Sequence, residues 1–176
     1  MKLVRYGAPG AEKPGLMDGD TLRDLSVHVD DITGAVLDDA TLDRLRAIDP
    51  KSLPALDGAV RIGPCVGNIG KFLCIGLNYS DHAAEQGLPI PAHPILFFKA
   101  NSAIVGPNDD VVMPRGSARS DWEVELGVVI GKETKYVSEA DALDSVAGYC
   151  IVNDVSEREF QQNLTGQWTK GKSCDT

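Results

Sequence analysis

Positive charge is in short supply: 17 Lys and Arg stand against 26 Asp and Glu, a net charge of -9 over 176 residues. No cluster of Lys and Arg reverses that balance locally, so the chain lacks the phosphate-neutralising surface that drives nucleic-acid binding. Nucleic acid is therefore not an expected partner. Long hydrophobic runs are missing too. No segment approaches the roughly 20 apolar residues of a membrane span, so no membrane association is expected. The opening "MKLVRYGAPG" carries Lys2 and Arg5 inside a short apolar stretch, without the apolar run and cleavage site of a secretory leader. Cysteines are few and scattered. Cys65, Cys74, Cys150 and Cys174 form no CxxC pair, which argues against a zinc knuckle or a small disulfide framework. Reduced thiols in a cytoplasmic protein are the expectation. Internal repeats and low-complexity tracts are also absent.

What is present is the composition of a globular protein, 43% hydrophobic and 24% charged. The length suits one domain, or a small domain followed by a larger one. "MKLVRYG" alternates as a first strand, and Asp18-Gly19 between two short apolar runs marks a tight hairpin turn. Leu42, Leu45 and Ile48 follow at helical spacing until Pro50 stops the helix. A turn-rich connection then places a boundary near Ile62, dividing a small β-rich N-terminal domain, residues 1–62, from a larger domain over 63–176.

Beyond it the chain reads as many short strands with a few short helices. "KFLCIGLNYS", "PILFFKANSAIVGP", "DVVMP", "DWEVELGVVIG" and "AGYCIVND" are expected strands. "DHAAEQG" is an expected short helix closed by Gly87, and "VSEADALDSV" one capped by Ser138. "SEREFQQN" matches a capping box, with Ser156 and Glu159 satisfying each other's backbone amides at the start of a helix. The fold class is α+β and β-dominated.

Two carboxylates in "DWEVELGVVIG" are candidates for chemistry. On a continuous strand, Asp121, Glu123 and Glu125 would share one face. That face is either simply solvated or, because "LGVVIG" is apolar on both parities and would be covered on both sides, a place where repelling carboxylates need a cation. Carboxylate oxygens suit Mg²⁺, Mn²⁺ or Ca²⁺. Asp154, at the end of an apolar strand, is either a turn former or a third ligand. His82 and Glu85, three apart on a helix, are either a surface pair or a general base held by a carboxylate. His28 and His93 read as ordinary surface or loop residues.

Taken in order, "GLNYSDHAAE", "PILFFKANSAIVGP", "DWEVELGVVIGK", "AGYCIVNDVSEREFQ" and "GQWTKGKSCDT" closely resemble the fumarylacetoacetate hydrolase family over residues 63–176. The N-terminal pattern is similar to a bacterial branch that includes 2,4-diketo-3-deoxy-L-fuconate hydrolases and ureidoglycolate lyases. The resemblance implies a mixed β-sandwich roll and a divalent-metal-dependent enzyme, usually a homodimer. It matches Glu123, Glu125 and Asp154 to the metal ligands, and His82 with Glu85 to the dyad that activates water. Lys99 and Gln161 match substrate-binding positions, and Lys172 one that polarises the substrate. The implied reaction is hydrolysis of a carbon-carbon bond in a 2,4-dioxo acid to pyruvate and a second acid. The alternatives are ureidoglycolate cleavage to glyoxylate and urea, or a truncated chain without activity. Relatives commonly read Ser-Ala-Arg-Asp where this chain reads Ser156-Glu157-Arg158-Glu159, and continue well past "GKSCDT". The expectation is a C-terminally truncated form, or one whose partner strands come from elsewhere.

Overall fold

Alternating and turn-forming residues at the N-terminus build a three-stranded antiparallel meander of β1 (Leu3–Tyr6), β2 (Lys13–Asp18) and β3 (Thr21–Asp24). The computed structural model, which describes residues 1–175, pairs Asp18 with Thr21 across the hairpin. Gly19 and Asp20 form the tip, and the φ of +59° at Gly19 is a conformation that a side chain would disfavour.

Helix α1 (Asp39–Arg46) is capped by Asp38, whose carboxylate accepts from the Thr41 amide. Its Leu42 and Leu45 are buried. Leu45 packs with Leu16, Leu25, Val29 and Leu53, and Ile48 rests on the same cluster. Leu42 joins Ile32 and Leu37 in a second cluster. Leu45 is 1% exposed, so Leu45→Ala is expected to cost about 2–5 kcal/mol, read as a lowered denaturant midpoint.

The chain forms two compact units, the first of which comprises Met1–Ile69, Val105–Asp110 and Val124–Asn153. Besides the meander and α1 it contains β7 (Val124–Ile130) and β8 (Val146–Asn153), antiparallel from Val124↔Asn153 to Ile130↔Val146. One side of this ribbon packs Val129 and Ala147 against Ile32, Leu37 and Leu42. The other side is exposed along Val124, Leu126, Val128 and Ile130 on β7, and along Tyr149 and Ile151 on β8. This corrects the expectation that "LGVVIG" is covered on both sides: within the described residues the strand alternates.

The second unit comprises Gly70–Ile104, Val111–Glu123 and Asp154–Thr176. β4 (Leu73–Gly76) pairs antiparallel with β5 (Ile95–Phe98), and α2 (Ser80–Glu85) lies between them in sequence. Gly87, at φ +64°, ends that helix as expected. A short ladder joins β6 (Ser120–Asp121) to β9 (Ser156–Glu157), and α3 (Thr169–Lys172) follows a π-helical turn at Glu159–Asn163. Trp168 meets Phe97 edge to face at 5.6 Å.

Several expectations about elements are corrected. "DVVMP" is irregular; Pro114 has no N–H for a ladder. "VSEADALDSV" yields only a 3-10 turn, Ala142–Ser145, and Ser138 instead accepts from the Asp141 amide one turn earlier. The capping box at Ser156 does not form. Ser156 is in β9, its hydroxyl donates to the Asp154 carbonyl, and the Glu159 amide donates to the Glu157 carboxylate. Ladder pairing with β6 outcompetes the local helix start. "DWEVELGVVIG" also breaks at Trp122-Glu123 into β6 and β7, so Asp121 and Glu125 are not on one continuous strand. The architecture is α+β and β-dominated, with sheets that do not close on themselves. Among the described residues no helix is long and apolar enough to cross a membrane.

Candidate active site

The break before β7 and the end of β8 bring two acids together. The Asp154 amide donates to the Glu123 carbonyl at 2.8 Å, which latches the backbone carrying both carboxylates. Lys99, immediately after β5, reaches Asp154 Oδ1 at 2.7 Å and the Val155 carbonyl at 2.9 Å. Lys172, the last residue of α3, donates from Nζ to Glu123 Oε2 at 2.7 Å and Asp154 Oδ2 at 2.9 Å. Its ammonium also lies 5.4 Å from the centre of the Phe97 ring. Both lysine side chains are only 3% exposed and that of Asp154 1%, so these ion pairs lie away from screening water.

Arg158 completes the arrangement. Its Nη1 lies 2.6 Å from Glu123 Oε1, and its Nε and Nη2 donate to Asp121 Oδ2 at 3.0 and 2.8 Å. Nη1 also donates to Gln161 Oε1 at 3.1 Å, tying the buried Gln161 to the same set. The Arg158 guanidinium holds the Asp121 carboxyl below its ordinary range. Burial works against the Arg158 charge, but the hydrogen bonds it donates to Asp121 and Glu123 outweigh it and raise its pKa.

One oxygen each from Glu123, Glu125 and Asp154 lie within 4.8 Å of one another, Glu125 standing two residues along the chain from Glu123. All three donors are carboxylates, the chemistry that hard divalent cations prefer. The Lys172 ammonium bridging Glu123 and Asp154 shows that their oxygens face a common point suited to positive charge. The residues therefore fit a divalent cation. Among Asp121, Glu123, Glu125, Asp154, Lys99, Lys172 and Arg158, acids exceed bases by one, and a bound divalent ion would leave the set positive by one.

Of the residues singled out in the sequence, Lys99, Glu123, Asp154, Gln161 and Lys172 thus converge. His82 and Glu85 form their own pair on α2, Nδ1 to Oε2 at 3.5 Å, with side chains 45% and 77% exposed. Sequence reasoning passed over Arg158, whose partner Asp121 is 37 residues away in the chain, and local spacing carries no signal for such a pair. His93, read as a surface or loop residue, is exposed in a bend, where with Ile75, Asn78, Ser80 and Pro94 it borders an open cleft of about 350 Å³.

Glu157 was likewise unassigned. It is 1% exposed, and burial works against its charge. Hydroxyls of Ser117 and Ser120 and amides of Glu159 and Arg119 nevertheless hold its carboxyl below the ordinary range. A lowered folded-state pKa contributes stability above the unfolded value, and that contribution disappears as pH falls through the folded value. Melting temperature should therefore drop in acid more steeply for the unaltered chain than for Glu157→Gln, which has no such proton to take up.

Comparison with known proteins identifies the family. Residues 71–176 match the family model described as fumarylacetoacetate (FAA) hydrolase, C-terminal. A relative from Burkholderia multivorans is 62% identical over 177 residues, covering all of this chain and 63% of that protein, and another from Burkholderia cenocepacia matches equally. Both bear only a provisional hydrolase name. The chain thus spans 63% of the length of these curated relatives. Among solved structures, fumarylacetoacetate hydrolase from psychrophilic Exiguobacterium antarcticum superposes with a TM-score of 0.75 at 29% identity, over 99% of this chain and 62% of that one. The 2-hydroxyhepta-2,4-diene-1,7-dioate isomerase of Mycobacterium marinum gives 0.69 at 31%, over 100% and 62%. A family model covering more than half of the chain makes it a member of the fumarylacetoacetate hydrolase family.

Proposed function

We propose that this chain carries the cation- and substrate-binding part of an enzyme that hydrolyses a carbon-carbon bond in a 2,4-dioxo acid, giving pyruvate and a second acid. The observation that carries the reading is the carboxylate pair Glu123 and Asp154 facing the buried ammonium groups of Lys99 and Lys172. Glu123, Glu125 and Asp154 would hold Mg²⁺, Mn²⁺ or Ca²⁺, which when bound supplies Lewis acidity and a grip on a chelating oxo acid. The net positive set that results suits an anionic substrate.

The protein's own groups then have distinct tasks. Lys99 and Gln161 position the substrate. His82, oriented by Glu85, takes a proton from water, whose hydroxyl adds to the distal carbonyl. Lys172 donates a hydrogen bond to the oxyanion that forms there. When the bond between C3 and C4 breaks, its electron pair stays with C3, which a proton then quenches to give pyruvate. One water is consumed for each bond cleaved.

Isomerisation is the second reading, favoured by the 31% identity to the Mycobacterium marinum isomerase. It moves a proton between carbons and consumes no water. Assays in ¹⁸O-labelled water separate the two, since hydrolysis of an acylpyruvate places the label in the second acid and releases pyruvate, whereas isomerisation does neither. Glyoxylate released from ureidoglycolate would instead identify a lyase. If a folded, monodisperse chain bound Mn²⁺ yet turned over none of these substrates, the enzymatic reading would be lost.

A further inference from the structure

We infer that Glu157 is a positioning residue whose buried carboxylate sets the geometry of Glu123 and Asp121 through Arg158. The inference rests on the cation-binding reading above and extends it to a residue outside the ligand set.

The carboxylate is buried without a cation at ion-pair distance among the described residues. An isolated buried charge is costly unless its lone pairs are filled. Here several donors converge on it. Ser117 Oγ donates to Oε2, as does Ser120 Oγ at 2.9 Å. The Arg119 amide reaches both oxygens at 3.2 and 3.3 Å, and the Glu159 amide reaches Oε1 at 3.1 Å. A carboxylate can only accept, so all of these groups must turn toward it.

The location of this knot gives it consequence. Ser117, Arg119 and Ser120 lie on the segment that runs directly into Asp121 and Glu123, while Glu157 is followed by Arg158, which grips both acids. The only ladder between these segments is two residues long, Ser120↔Glu157 and Asp121↔Ser156, supplemented by the Arg158 amide to the Arg119 carbonyl at 3.0 Å. So short a pairing is marginal by itself, and the Glu157 carboxylate accepts from three donor groups across it, the Ser117 and Ser120 hydroxyls and the Arg119 amide. On its other side, Gly171 packs so close that a Cβ there would lie 2.6 Å from the Glu157 carbonyl oxygen, one residue before Lys172. One residue thus couples the segment bearing Glu123 to the guanidinium and, through its backbone, the ammonium that face it. Gln at 157 reproduces this only in part, because it lacks the charge. With its oxygen toward the Arg119 and Glu159 amides, its NH₂ faces the Arg119 amide at the second position and requires the Ser117 and Ser120 hydroxyls to reverse and accept.

The test is Mn²⁺ titration followed by the electron paramagnetic resonance signal of the free ion, together with amide hydrogen exchange at Asp154 and Arg158. Both are applied to the unaltered chain, Glu157→Gln, Ser117→Ala and Val29→Ala. Removing groups that orient metal ligands typically weakens affinity about 10–100-fold, and that loss is expected for Glu157→Gln, with faster exchange at both amides. Ser117→Ala, which removes a single donor and so is safer for folding, should show a smaller change in the same direction. Val29→Ala, in the core of the other unit, should lower the melting temperature and leave Mn²⁺ affinity unchanged. Unchanged Mn²⁺ affinity in Glu157→Gln overturns the inference, as does an equal loss of affinity in Val29→Ala. If the unaltered chain fails to bind Mn²⁺, the cation reading itself is wrong. Amide exchange then decides alone: faster exchange in Glu157→Gln upholds the positioning role, and unchanged exchange defeats it.

Discussion

Asp154→Ala is expected to eliminate divalent-cation binding and turnover together, and to destabilise the chain by about 3–5 kcal/mol, the usual consequence of removing one partner from a buried ion pair. The size follows from where its two oxygens point. Oδ1 is taken by Lys99 and Oδ2 by Lys172, and both ammonium groups are buried. Truncation leaves Lys99 bonded to the Val155 carbonyl and Lys172 to Glu123. Asp154→Asn preserves volume and one acceptor, so it should fold better than the alanine variant while still losing the cation. Isothermal titration with Mn²⁺ and a denaturant melt measure the two effects separately. Wild-type Mn²⁺ affinity in Asp154→Ala would remove Asp154 from the ligand set.

Gly171→Ala should be nearly as damaging, although it adds one methyl group. A Cβ at this position would lie 2.4 Å from the Gln161 amide nitrogen, and 2.6 Å from Gln161 Cβ and from the Glu157 carbonyl oxygen. Two of those three atoms are backbone and cannot rotate away, so α3 must move bodily. Its last residue is Lys172, whose ammonium bridges Glu123 and Asp154. Overpacking of this kind costs about 1–3 kcal/mol. A displacement of about 1 Å at a positioned group can reduce turnover on the order of a hundredfold. Gly148→Ala is the matched control, because a Cβ at Gly148 meets nothing within 4 Å. If steady-state kinetics were the same for both variants, the close packing of Gly171 would have no bearing on Lys172.

Legibility in the sequence followed the range of the interactions involved. The hairpin at Gly19, the helix bearing Leu42 and Leu45, and the long strand ending before Asp154 all follow local rules of period and turn. The capping box at Ser156 obeyed the same rules and failed, because a strand partner distant in sequence offered Ser156 and Glu157 a ladder instead. The break at Trp122-Glu123 is likewise outside local pattern, since β6 and β7 pair with different strands on either side of it.

The candidate site divides along the same line. Residue types and order alone marked Glu123, Glu125 and Asp154 as acids in unusual settings, and a family resemblance attached Lys99, Gln161 and Lys172 to them. Tertiary structure decided which charge meets which: Lys99 crosses 55 residues to Asp154, Arg158 crosses 37 to Asp121, and Lys172 crosses 49 to Glu123. Backbone preference is set by neighbours a few residues away, and so it can be read from the chain. A buried ion pair forms only where folding removes water from both partners at once, and no local spacing encodes that meeting.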